Sequence, residues 1–93
     1  MRQYELITVL PSEEELFRTG KEAVAAELAK QGASEVKETD MGERQLAYTI
    51  KKRDRGHYIL FTMQLDPQKV TPAEKIFKLN PNLLKYLFVR VEA

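Results

Sequence analysis

The stretch Gly42-Glu43-Arg44-Gln45-Leu46-Ala47-Tyr48-Thr49-Ile50-Lys51-Lys52, then Arg53-Asp54-Arg55-Gly56, then His57-Tyr58-Ile59-Leu60-Phe61-Thr62-Met63-Gln64-Leu65 decides the fold. Leu46, Tyr48 and Ile50 alternate with Gln45, Ala47, Thr49 and Lys51, the period of a strand. His57, Ile59, Phe61, Met63 and Leu65 alternate with Tyr58, Leu60, Thr62 and Gln64 in the same way. The residues between, Arg53 to Gly56, predict a hairpin loop with Gly56 taking a positive φ. A hairpin alone is marginal in water, so the flanking segments must supply further strands and a helical cover.

Upstream, Gln3 to Leu10 reads as a strand with Tyr4, Leu6, Thr8 and Leu10 on one face and Gln3, Glu5, Ile7 and Val9 on the other. Both faces are largely apolar, as in a central strand. Pro11 ends it. Ser12-Glu13-Glu14-Glu15 has the form of a capping box, with three carboxylates at the positive end of a helix. Phe17, Val24 and Leu28, helped by Leu16, Gly20 and Ala23, form its apolar face, and the helix should end near Gln31 with Gly32 as a left-handed stop. Ser34 to Met41 is polar. It reads as the outer end of the second strand, interrupted at Gly42 by a bulge.

Downstream, Asp66-Pro67 ends the third strand. Thr71-Pro72-Ala73-Glu74 predicts a second helix capped by Thr71, with Ala73, Ile76, Phe77 and Leu79 toward the sheet and Pro81 as its stop. Leu83 to Val91 reads as a fourth strand. The order strand, helix, strand, strand, helix, strand predicts an α+β, ferredoxin-like βαββαβ sandwich: a four-stranded antiparallel sheet with both helices on one face. The 93 residues are expected to form one domain, 1–93.

Composition narrows the function. There is no cysteine, hence no disulfide framework or thiolate chemistry. No stretch approaches the ~20 apolar residues of a membrane span, and none resembles a signal peptide, so a cytoplasmic protein without membrane contact is expected. The net charge of +1 conceals an asymmetry. Residues 1–42 carry nine acids and five bases, residues 43–93 five acids and ten bases. A basic half is consistent with a polyanionic partner.

Catalysis finds no support. His57 falls in the alternating set of the third strand and reads as a structural residue. Glu13, Glu14 and Glu15 splay around a helix start instead of converging on a metal. No pair of residues has metal-ligand spacing, and no glycine-rich phosphate loop exists. An acyl-phosphate hydrolase can use this fold, but the first strand is not followed by an arginine-bearing loop. The expectation is a non-enzyme without metal, cofactor or small-molecule substrate.

The helix-free face of the sheet would carry Ile7, Val9, Tyr58, Leu60, Leu87 and Val89, with Glu5 and Lys85. Monomers seldom leave so large an apolar patch wet. Only Tyr58 is aromatic there, which suits an apolar protein partner better than a base-stacking platform. Lys51, Lys52, Arg53 and Arg55 make the hairpin tip basic, and Arg2 and Lys85 are expected to serve one rim of the sheet. Self-association is the plain alternative, in the form of a homo-oligomeric regulatory domain binding a small molecule between sheets.

Four motifs in order resemble the bacterial small-subunit ribosomal protein S6 family. They are Met1-Arg2-x-Tyr4-Glu5, Gly42-x-Arg44-x-Leu46-Ala47-Tyr48-x-Ile50, Gly56-x-Tyr58, and Asn82-x-Leu84-Lys85-Tyr86-Leu87-x-Val89-Arg90. The resemblance implies a structural constituent of the small ribosomal subunit in the cytoplasm. It implies binding to the central domain of small-subunit ribosomal RNA as a heterodimer with ribosomal protein S18. Carried over by position, Arg2, Arg44 and Lys85 become RNA-binding candidates, with Lys52, Arg53 and Arg90 beside them. The chain departs from the family in having Thr49 where proline is usual and Lys85 where arginine is common. Lysine keeps the charge but lacks the guanidinium fork.

Overall fold

The structure, a computed structural model, describes residues 1–91. Its elements are β1 (Arg2–Leu10), α1 (Glu14–Lys30), β2 (Ser34–Ile50), β3 (Arg53–Leu65), α2 (Val70–Leu79) and β4 (Lys85–Arg90). One antiparallel sheet has the order β2-β3-β1-β4, with both helices against one face. This is the expected ferredoxin-like sandwich.

The alternation in β1 and β3 places the core. Leu6, Leu10, Ile59, Phe61, Met63 and Leu65 are buried and meet Val24 and Leu28 of α1 and Ala73 and Phe77 of α2. Their strand neighbours Ile7, Tyr58 and Leu60 point to the helix-free side and are only half-buried. Thr8 is fully buried on the core side and donates its hydroxyl to the Ile59 carbonyl at 2.9 Å. An unmade bond there would cost about 1–3 kcal/mol.

Several local expectations change. α1 starts at Glu14 with Glu13 as its N-cap and has no side-chain cap. The Ser12 hydroxyl lies instead toward Glu43, without a hydrogen bond of good geometry. Gly32, at φ +83, does end the helix, while Ala23 faces solvent. α2 begins a turn early because the Asp66 carboxylate accepts from the Gln68 amide and caps a 3₁₀ turn, Pro67–Lys69, that runs into the helix. Thr71 and Pro72 therefore sit inside the first turn, where the missing proline N–H breaks no helical bond. Ile76 and Leu79 are exposed, and Leu83 and Leu84 are buried ahead of β4 instead of lying within it.

The hairpin differs most. β2 and β3 are joined by Lys51-Lys52 alone, both at positive φ, and Arg53 to Gly56 belong to β3. Gly56 is buried in the strand because a Cβ there would lie 2.5 Å from Val9 Cγ1. Opposite it, β2 carries extra residues. The register passes Asp40↔Ile59, Gly42↔Tyr58 and Gln45↔Arg55 before reaching Ile50↔Arg53. Of the three interruptions the first falls between Ser34 and Lys37, and Gly42, at φ +85, forms the second, as expected of a bulge. The third leaves Leu46 to Thr49 opposite Asp54 alone, and this excess arches over the helix-free face.

Gly56→Ala should lower stability by about 1–3 kcal/mol through overpacking. In a Val9→Ala background, the same change should cost clearly less, since the clashing methyl is gone. Urea melts of the four-member cycle check this. Equal costs in both backgrounds would show that the glycine serves the backbone and not the packing.

Candidate nucleic-acid and protein interface

Residues paired across antiparallel strands share a face, about 4.8 Å apart from strand to strand. On the helix-free side this orders the face into rows. Leu60, Ile7 and Leu87 form an apolar row, with Thr39 beside it on β2. Toward the hairpin end the next row is Tyr58, Val9 and Lys85. In the other direction come Lys37, Thr62, Glu5 and Val89. Leu87 is 55% exposed and Val89 37%.

Val9 does not belong to the accessible face, contrary to expectation. It is 4% exposed, packed with Leu46 and Leu84 into a small second core that Ile50 and Tyr58 flank. The arch of surplus β2 residues covers it. The open apolar surface is thus Ile7, Leu60, Leu87 and Val89, bordered by Tyr58.

The arch is latched by cations. Lys85 Nζ donates to the Tyr48 hydroxyl at 3.0 Å and lies 5.5 Å from that ring's centre. The bond to Tyr48 holds the Lys85 ammonium above the ordinary lysine range, so it is charged at neutral pH. Lys51 Nζ donates to the Leu83 carbonyl at 3.4 Å. The Arg44 guanidinium lies 5.8 Å from the centre of the Tyr58 ring. Between these groups lie two adjoining hollows of about 170 and 190 Å³ that share Val9, Tyr58 and Lys85. Tyr48 itself is 62% exposed.

The opposite side of the hairpin carries two ion pairs, one to the N-cap of α1 and one across to β2. Arg53 Nη1 donates to both oxygens of Glu13, at 2.6 and 2.5 Å, and Arg55 Nε to Glu43 at 2.9 Å. Arg55 is the main cause that keeps the Glu43 carboxyl below its ordinary range. His57 stacks on Phe17 with ring centres 4.0 Å apart, and its Nε2 lies 2.6 Å from Asp40 Oδ1. His57 therefore has a structural setting.

The six candidate cations fall into three groups. Arg44 and Lys85 lie on the helix-free face, whereas Lys52, in the turn, lines a hollow with Glu13, Glu43, Arg53 and Arg55 on the other side of the hairpin. Arg53 is on the helix side, committed to Glu13. Arg2 pairs in register with Leu65 and Lys85 with Val9, so they lie at opposite ends of β1, roughly 23 Å apart along the strand. They cannot serve one rim. Arg90 pairs with Tyr4, on the helix-covered side and near the Arg2 end. Tyr48 was not singled out as a site residue, and Lys51 was read only as part of the basic tip, because the strand alternation gives no sign of the arch. Among the described residues, no group of His, Cys, Asp and Glu could hold a metal ion, and no helix is long and apolar enough to cross a membrane.

Residues 3–90 match the family model of ribosomal protein S6. The chain belongs to the ribosomal protein S6 family. It is 47% identical over 92 residues to small ribosomal subunit protein bS6 of Treponema denticola, covering 99% of both chains. It is 44% identical over 93 residues to that of Treponema pallidum strain Nichols, covering all of both. The crystal structure of 30S ribosomal protein S6 from Thermotoga maritima is similar in fold, with a TM-score of 0.81 over 97% of this chain and 87% of that one, at 24% identity. The S6 family is structural and non-enzymatic, and its members are small-subunit proteins of the cytoplasmic bacterial ribosome.

The Asp40 carboxyl is held below its ordinary value of 3.8, first by the His57 hydrogen bond and then by the Gly42 amide. A depressed folded-state value stabilises the fold above the unfolded value, and that stability is lost as pH falls through the folded one. Urea melts from pH 7 to pH 2 should show wild type losing its advantage over Asp40→Asn on the acid side of pH 4. A gap that stays constant down to pH 2 would contradict this assignment.

Proposed function

We propose that the chain binds the central domain of small-subunit ribosomal RNA jointly with ribosomal protein S18, as a heterodimer that adds no catalysis of its own. The observation that carries the reading is the adjacency, on one uncovered sheet face, of an exposed apolar row and a pair of cations without acidic partners. Leu60, Ile7 and Leu87, with Val89, offer a protein partner apolar area whose burial contributes about 25 cal/mol per Å². Arg44 and Lys85 form no ion pair among the described residues, so they are free to neutralise phosphates. A few such contacts give modest affinity. A basic partner that docks beside them adds charge and orients both surfaces on one RNA site.

Arg53 contributes little in this reading, because leaving Glu13 would forfeit both bonds that its Nη1 donates to that carboxylate. Arg2 and Arg90, at the far end of the sheet, contact RNA only where it wraps around the domain.

Leu87→Glu should leave the melting temperature of the isolated domain nearly unchanged, since the carboxylate stays hydrated at an exposed site. It should weaken binding of the protein partner at least tenfold, because docking would bury the charge. Isothermal titration beside thermal melts checks both halves. Unchanged affinity would remove the apolar row from the interface.

For RNA, the heterodimer's affinity should fall with salt. Lys85→Gln should make the slope of log affinity against log salt shallower by roughly 0.7–0.9, the loss of one phosphate contact. An unchanged slope would take Lys85 out of the RNA surface.

A further inference from the structure

The two residues that turn β2 into β3 stand where lysine is disfavoured. Lys51 has φ 49 and Lys52 φ 65, the left-handed region that a two-residue type I′ hairpin requires at both central positions. Asn-Gly is the preferred pair there, because a Cβ crowds its own carbonyl in this conformation. Such backbone outliers persist where the surroundings hold them in place, and they gather at functional sites.

The surroundings hold this turn on both sides. Arg53 grips Glu13 at the start of α1, and Lys51 reaches across the helix-free side to the Leu83 carbonyl. Lys51 thus has a part in the fold. Lys52 has none: it is exposed and makes no hydrogen bond or ion pair among the described residues, not even with the neighbouring Asp54. The arginines beside it are neutralised by Glu13 and Glu43. Lysine at position 52 therefore strains the backbone and gains no contact within the domain. The Lys51–Leu83 contact brings Lys51 beside the start of β4, while Lys52 stands on the other flank of the turn, at the mouth of a hollow it lines with Glu13, Glu43, Arg53 and Arg55.

We propose that the Lys51–Lys52 turn is a pre-positioned phosphate contact for the RNA backbone, with Lys52 as the contacting group, kept cationic at the expense of fold stability. The proposal rests on the RNA-binding reading above and adds the tip to its surface. The braces on both sides fix the backbone of the turn, so binding has only the Lys52 side chain left to order, which favours the contact.

Two variants separate strain from charge. Lys52→Gly relieves the backbone and removes the charge; Lys52→Gln removes the charge and keeps the strain. Lys52→Gly should raise the melting temperature of the isolated domain by roughly 4–8 °C, and Lys52→Gln should not. In the heterodimer both should make the salt slope of RNA affinity shallower by roughly 0.7–0.9. No gain in melting temperature for Lys52→Gly would refute the strain, and unchanged slopes for both variants would refute the contact. Lys85→Gln, measured beside them, tells the two readings apart. If it alters the slope and the Lys52 variants do not, the turn proposal alone fails. If wild type shows no salt-dependent RNA binding, the RNA reading fails with it.

Discussion

The burial of β1 along its helix side, and at Val9 on its other face, is the constraint from which the rest of the structure follows. β3 and β4 are both hydrogen-bonded to it, and its core-side residues Leu6, Thr8 and Leu10 are fully buried. On its other face, Val9 is buried as well. A strand that is central in the sheet and buried at Leu6 and at Val9 needs material on both sides, and the described residues hold only two α-helices. Both lie on the Leu6 side. The second cover has to come from the sheet itself.

β2 provides it. Residues 46–49 are more than β3 can pair with, and the surplus bends over the hairpin end of the helix-free face, with Leu46 placed on Val9. A buried strand glycine, Gly56, makes room for the contact. The face is thereby divided. One end is closed by the domain's own side chains and rimmed by Arg44, Tyr48, Lys51 and Lys85; the middle, around Ile7, Leu60 and Leu87, stays open. The proposed division of labour, protein partner on the open middle and RNA at the cationic end, follows from how the surplus is spent.

Much of this was legible in the sequence. The alternation in β1 and β3 separated Phe61 from Leu60 and so the core from the outer face. Gly32 and Gly42 marked a helix end and a bulge, because each occupies a backbone region that side chains resist. The hairpin tip was misplaced for the converse reason: its turn residues are lysines, which carry no turn signal, while the nearby glycine is there for packing. The length of the arch was also hidden, since register is a property of two strands together and period-two reading treats each alone. That error concealed the burial of Val9 and the role of Tyr48. The joining of Arg2 with Lys85 failed because strand adjacency says nothing of which ends meet; antiparallel pairing sets Lys85 against Val9, far from Arg2. The family motifs carried identity and fold well, and they carried the geometry of the cations poorly.

The division of the face can be observed directly. An isotopically labelled chain would be titrated first with ribosomal protein S18, the proposed partner, and then with RNA, following backbone amide shifts residue by residue. The account predicts that the partner protein perturbs Ile7, Leu60, Leu87 and Val89 while leaving Leu46 and the turn unchanged, and that RNA then perturbs Arg44, Lys51, Lys52 and Lys85. RNA-induced shifts confined to the Arg2 and Arg90 end of the sheet, with the hairpin end silent, would contradict it.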